Sequence, residues 1–244
     1  MLQVTTYIIK PYLLFGETPE KYVKSGTEWM RDAVKGLMHP NSEQLKELGV
    51  NTSLFHNHNE ANSNTLSDYP KITYHYTNNQ FLVTGINEGS FALKKLFALF
   101  RNPVSINEHL ILEFRRLSHE EIEVAETQQM QFYHIRNYLA LDSKTHKKYS
   151  EAPAAEKIAL LESTLYKHLK NDLFKYLGVN HTNLQVQLLD ILKLNQKLLP
   201  YKAHFFLPFD LVFSINANLP QFVALGSGKA FGYGIIEKYI KPVK

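Results

Sequence analysis

From Leu2 to Lys10 apolar and polar positions roughly alternate and β-branched residues are frequent, a period of two that predicts a first strand. Pro19 then opens a helical stretch to about Met38, with Tyr22, Trp29, Ala33 and Leu37 at helix-like intervals and Pro40 ending it. Asn51 to His58 reads as a short strand, and the polar run Asn59 to Asp68 as a loop. YPKITYHY (Tyr69 to Tyr76) and QFLVTGI (Gln80 to Ile86) flank the turn-like Thr77-Asn78-Asn79, which makes them a hairpin. Asn87 and Glu88 cap a helix over Phe91, Leu93, Leu96, Phe97 and Phe100, stopped at Asn102-Pro103, and Ile106 to Leu117 returns as a strand. Strand, helix, two strands, helix, strand is the ferredoxin-like order.

The second half repeats that order more loosely. Glu123 to Tyr133 and Arg136 to Leu141 read as strands, Ala154 to Leu177 as a long amphipathic helix ending at Gly178, and Leu184 to Leu194 as either helix or strand. His204 to Ile215 is a strong strand pattern despite Pro208, which belongs at an edge or a bulge. A glycine-rich loop and a closing strand complete the chain. The expected architecture is α+β: two tandem ferredoxin-like domains, residues 1–118 and 119–244, each an antiparallel sheet with helices on one face, joined near Ser118 to Ile122.

Composition narrows the class. A chain of 244 residues, 44% hydrophobic and 20% charged, is that of a globular protein large enough for one big domain or two compact ones. The net charge of +4 gives no dominant basic tail, although a pI near 9.0 and 11 uncounted histidines permit a locally basic groove for an anionic partner. With no cysteine there is no disulfide framework, zinc ribbon or thiol nucleophile. The N-terminus lacks the pattern of a secretory signal, and no apolar run approaches the length of a membrane helix, so a cytoplasmic protein without membrane contact is expected.

Two stretches carry candidate chemistry. In ALGSGKAFGYGIIEKY (Ala224 to Tyr239), Gly226, Gly228, Gly232 and Gly234 fall within nine residues around Lys229. Positive φ angles and exposed amides there would make a phosphate cradle, or equally a tight turn packed on a sheet. It is not a P-loop: Val223 stands where the first glycine belongs and Ala230 where Ser or Thr belongs. Nor is it a dinucleotide fingerprint, since it enters a strand rather than a helix. The other stretch is His56-Asn57-His58. If extended, it projects both imidazoles to one face, where they can act as acid and base near neutral pH, bind a metal with Glu60 as a third ligand, or simply hydrogen-bond the following loop. The dispersed HNH nuclease signature does not fit adjacent residues.

Together, LFHNHNE (Leu54 to Glu60), the following Tyr69-Pro70, GINEG (Gly85 to Gly89) and the terminal glycine loop resemble the CRISPR-associated repeat-processing endoribonucleases, the Cas6 family of the RAMP superfamily, and in particular the Cas6b-like branch. The resemblance brackets most of the chain. It implies two ferredoxin-like domains and binding of CRISPR repeat RNA in precursor crRNA. It also implies cleavage without metal or other cofactor, by attack of the substrate's 2′-hydroxyl on the adjacent phosphate. It places a functional histidine in the His56–His58 segment, with His58 slightly preferred and His39 in reserve. Tyr69 is then a second proton carrier or positioning donor, or a plain strand aromatic, and Lys35 a candidate for charge stabilisation, or a solvated lysine. Lys229 and the loop glycines would meet phosphates, and Phe231 and Tyr233 would stack bases unless they are core. Arg115, Arg116, Lys144, Lys147 and Lys148 add basic surface, and His75 reads as structural or stacking. Other readings remain open: a silent RNA-binding subunit of a CRISPR effector complex, a metal-dependent nuclease on His56, His58 and Glu60, and a homodimer.

Overall fold

The computed structural model describes residues 1–13, 27–55, 69–77, 80–107, 110–179, 183–194, 199–201 and 204–240. Its contacts divide into two units, Met1–Ile122 with Ala230–Gly232, and Glu123–Lys229 with Tyr233–Lys244.

The first unit runs β1 (Leu2–Leu13), α1 (Thr27–Met38), a 3₁₀ turn (His39–Asn41), α2 (Ser42–Glu47), a second 3₁₀ turn (Thr52–Phe55), β2 (Ile72–Thr77), β3 (Gln80–Ile86), α3 (Glu88–Ala98), β4 (Val104–Asn107) and β5 (Leu110–Ile122). The sheet order is β2-β3-β1-β5-β4, with every pairing antiparallel. Without the short edge strand β4, this is the ferredoxin-like order. The hairpin closes as the sequence predicts, with Thr77 opposite Gln80.

Helix α1 buries Met30, Ala33, Val34, Leu37 and Met38, positions three and four apart that form one apolar face. They join Leu45, Phe55, Tyr74, Val83, Leu93, Leu96 and the sheet residues Tyr7, Ile9, Leu112 and Phe114 in one core. Tyr7, Phe97 and Phe114 are in ring contact through it, with centroids 4.5 and 4.6 Å apart. Each such side chain, fully buried, contributes about 1.5–3 kcal/mol.

Three expectations for this unit need correction. Pro40 does not stop the helical run; it sits at the start of a 3₁₀ turn, where a missing N–H is tolerated, and α2 follows. The described part of Asn51 to His58 is a 3₁₀ turn and not a strand, because a tight helical turn buries the consecutive Leu54 and Phe55 together, whereas a strand would point them to opposite faces. Ile106 to Leu117 is divided between β4 and β5.

The second unit contains β6 (Glu126–Tyr138), α4 (Ser143–Glu151), α5 (Ala154–His168), a π turn (Leu169–Phe174), β7 (Val186–Leu194), β8 (Leu199–Tyr201), β9 (His204–Phe206), β10 (Phe209–Ala217), a 3₁₀ turn (Lys229–Phe231, shared with the first unit) and β11 (Ile235–Lys238). The sheet order β11-β6-β10-β7 is again ferredoxin-like and antiparallel, and the glycine loop occupies the place of the second helix. The two strands expected at Glu123 to Tyr133 and Arg136 to Leu141 are one. An irregularity at Asn137, with φ 48° and its N–H donated to Asp210 at 2.7 Å, absorbs the break in pattern. The long helix ends at Gly178 (φ 66°) as expected, passing through the π turn. Helix α4, not foreseen, starts at Asp142, whose carboxylate accepts the Thr145 N–H at 2.8 Å.

Candidate functional site

The polar side of α1 carries Arg31 and Lys35, four apart, and the same spacing continues to His39 in the following turn. Arg31 and Lys35 are largely covered, with side chains 18% and 19% exposed, while His39 is exposed. Asp32 is shared between the two cations, 3.4 Å from Arg31 Nε and 3.8 Å from Lys35 Nζ. Burial lowers the pKa of Lys35, and the Arg31 guanidinium lowers it further against the opposing pull of Asp32. The Arg31 guanidinium lies 4.9 Å from the ring centre of Phe231, whose carbonyl accepts the Thr27 hydroxyl at 2.5 Å. The first unit thus presents a basic stripe, one end of it laid on an aromatic ring.

Beneath this stripe is Tyr74, fully buried, its hydroxyl donating to the Phe55 carbonyl at 3.4 Å. Burial raises its pKa steeply, and Arg31 and Asp32 are both close enough to act on it. Phe55 is the last described residue before His56. His56 and His58 themselves lie outside the described residues, as does Glu60. Tyr69 is 5% exposed just before β2, an environment that suits packing better than proton exchange with solvent. His75 is fully buried on β2 and bonded to Thr73 at 2.9 Å. Arg115 and Arg116 are both exposed on β5, but as consecutive strand residues they point to opposite faces and do not make one patch. Among the described residues no group of three or more His, Asp or Glu is placed to hold a metal ion. A cleft of about 710 Å³, reaching from Gln3 to Lys71 and Phe91, contains none of the candidate residues.

Of the two arrangements open to the glycine loop, a phosphate cradle or a tight turn packed on a sheet, much of its backbone follows the second. All four glycines take positive φ, between 69° and 84°, as the sequence suggested. At Gly226 a Cβ would stand 2.7 Å from the Tyr138 ring, and at Gly234 it would fall onto the Leu225 carbonyl. Several amides are already committed: Ser227 donates to Leu139, Gly234 to Asn137 and Leu225 to Gly234. Gly226 and Gly234 are thus explained by close packing of the loop on its own sheet. Gly228 packs on the ring of Tyr233, and Gly232 against the Tyr74 carbonyl within the first unit. Lys229 is ion-paired with Asp172 at 2.9 Å. Close by, His168 Nδ1 and the buried Tyr138 hydroxyl are 2.6 Å apart. Burial holds the His168 pKa down, as do Lys229 and Lys167, while Asp172 opposes them.

Comparison with known proteins places this fold. A model of the Cas6b N-terminal domain matches residues 43–123, and one of the Cas6b C-terminal domain matches residues 125–239. The chain belongs to the Cas6b family. Among solved structures it is similar to a crystal structure of Cas6b, with 18% identity and a TM-score of 0.64 over 98% of this chain and 100% of that one. A crystal structure of the CRISPR RNA processing endoribonuclease Cas6b gives 18% identity and a TM-score of 0.59 over the same shares. Csf5, a type IV Cas6 crRNA endonuclease, gives 11% and 0.55, again covering 98% of this chain and 100% of that one. No curated protein matches the chain.

The Cas6b N-terminal match includes His56, His58 and Tyr69 but begins after Arg31, Lys35 and His39. For those three the geometry of this chain is the guide. Sequence reasoning selected Lys35 and His39 but passed over Arg31, although its spacing of four from Lys35 was visible. It had no means of finding Asp172, which reaches Lys229 only through folding, or the Tyr138–His168 pair.

Proposed function

We propose that this chain is a CRISPR RNA-processing endoribonuclease, binding repeat RNA and cutting the precursor by metal-independent transesterification. The observation that carries this reading is the match of Cas6b models to both halves of the chain, on a fold shared with a CRISPR RNA processing endoribonuclease. In the reaction a base removes the proton of the 2′-hydroxyl, and that oxygen attacks the adjacent phosphorus. The bond to the 5′-oxygen then breaks as an acid protonates it, leaving a 2′,3′-cyclic phosphate and a 5′-hydroxyl. His56 and His58 supply base and acid, with Tyr69 and His39 as the further candidates. Lys35, a cation held beside Arg31, stabilises the charge of the phosphorane. Lys229, Phe231, Tyr233, Arg115 and Arg116 contribute to holding the strand.

The test is single substitution at the histidines. His56→Ala and His58→Ala should each slow cleavage of the repeat RNA by about 10²–10⁴-fold while leaving its binding intact. Full activity in both variants would remove the histidines from the reaction, and tight binding by a wild-type protein that never cuts would favour a silent RNA-binding subunit.

A further inference from the structure

We propose that Arg31 is a phosphate-binding residue of the RNA site, gripping one backbone phosphate of the bound repeat through its two Nη groups while Phe231 supports the guanidinium from below. The proposal rests on the RNA-processing reading above and adds a residue that lies ahead of the family match.

Three observations carry it. First, like charges four apart on a helix repel, and Arg31 and Lys35 stand at that spacing on α1. Asp32, the adjacent acid, is 63% exposed and lies 3.4 Å from Arg31 Nε and 3.8 Å from Lys35 Nζ, so one carboxylate faces two cations. A stripe of this kind is completed by an anion from outside. Second, Arg31 has donors to spare. Among the described residues only its Nε has a hydrogen-bond partner, and that contact is long at 3.4 Å, whereas a guanidinium carries five N–H groups. Third, the group is pre-positioned. The Phe231 ring lies under it, and the Phe231 carbonyl is fixed by Thr27. The next residue, Gly232, has φ 84° and no room for a Cβ, which would stand 2.8 Å from the Tyr74 carbonyl. A planar fork resting over a ring, its Nη groups without a hydrogen-bond partner among the described residues, matches two oxygens of one phosphate. The exposed Arg115 and Arg116 have no comparable support in the described structure.

The experiment measures binding of the protein's own CRISPR repeat RNA, made uncleavable by a 2′-deoxy substitution at the mapped cut site, across a salt series. Wild type, Arg31→Gln, Arg31→Lys and Phe231→Leu are compared, with thermal midpoints recorded. For Arg31→Gln the expectation is binding weakened tenfold or more at about 0.1 M salt, with the slope of log K against log salt reduced by about 0.7, one phosphate on a single strand. Arg31→Lys should keep the wild-type slope and recover part of the affinity, because an ammonium retains the charge but not the fork. Phe231→Leu should also keep the slope and lose affinity severalfold. An unchanged slope in Arg31→Gln overturns the assignment, as does an Arg31→Lys variant whose slope falls as far as that of Arg31→Gln. Failure of the wild type to bind the repeat at all would instead overturn the RNA-processing reading, and the role of Arg31 with it.

Discussion

At Lys35 stability and the proposed role in cleavage pull in opposite directions. Burial and the Arg31 guanidinium both disfavour its charged form, so its pKa is lower folded than unfolded. Between those two pKa values the unfolded chain binds the extra proton. The cost is therefore fully present below the folded pKa and is relieved as pH rises through it towards the unfolded value. Lys35→Met should leave the thermal midpoint at neutral pH unchanged or raised, while lowering the cleavage rate by about 10²–10³-fold. Calorimetry beside single-turnover cleavage separates the two, and a stable variant with full activity would dismiss Lys35 from the reaction. The glycine loop shows how a residue pattern fixes backbone angles and leaves their use open. Four glycines clustered around a lysine predict positive φ, and the angles follow. Whether the amides face a ligand or the protein depends on contacts with Leu139 and Asn137, some ninety residues away in sequence. Gly234→Ala, at φ 69° and against the Leu225 carbonyl, should cost about 2 kcal/mol or more and lower the melting temperature by about 4–8 °C, measured by thermal unfolding.

Among the elements, those with a long, regular period were legible. The hairpin at β2 and β3 follows from two strand-like runs around a turn, with β3 buried on both faces from Phe81 to Ile86, and helix α3 follows from its helical spacing. Elements failed to show where the pattern was short or locally broken. Thr52–Phe55 has two adjacent apolar residues that a single turn buries, which four positions cannot distinguish from a strand. The polarity of α4, SKTHKKYSE, conceals a helix that depends on its Asp142 cap and on Tyr149, which meets the Phe209 ring edge-on at 5.4 Å. The end of α5 yields a pH prediction. His168 is held neutral by burial, so the unfolded chain binds more protons than the folded one between the lowered pKa and about 6.5. Stability should be complete above that upper bound and fall as pH drops below it. His168→Gln, which can still accept the Tyr138 hydroxyl, should flatten this part of the curve of melting temperature against pH. A curve as steep as the wild type's would show that His168 is not the titrating group; His134, also lowered by burial, would account for any slope left in the variant.

For the molecule as a whole, the duplication was visible only as an order of elements, and that order was enough. Both units close their sheets in the ferredoxin-like order, with no sequence repeat to announce it. The family likewise lay within reach of the sequence, because the histidine segment and the glycine loop stand near opposite ends of the matched length. The arrangement around Arg31 did not, since it depends on residues 27 and 231 meeting. Among the described residues no helix is long and apolar enough to cross a membrane. The central claim is metal-independent cutting of repeat RNA, and one measurement addresses it directly: purified protein incubated with its own repeat RNA in excess chelator, the product ends identified by mass spectrometry. A single cut leaving a 2′,3′-cyclic phosphate and a 5′-hydroxyl is the predicted result. Cleavage that stops in chelator and returns with a divalent ion, or ends bearing a 3′-hydroxyl and a 5′-phosphate, would contradict it.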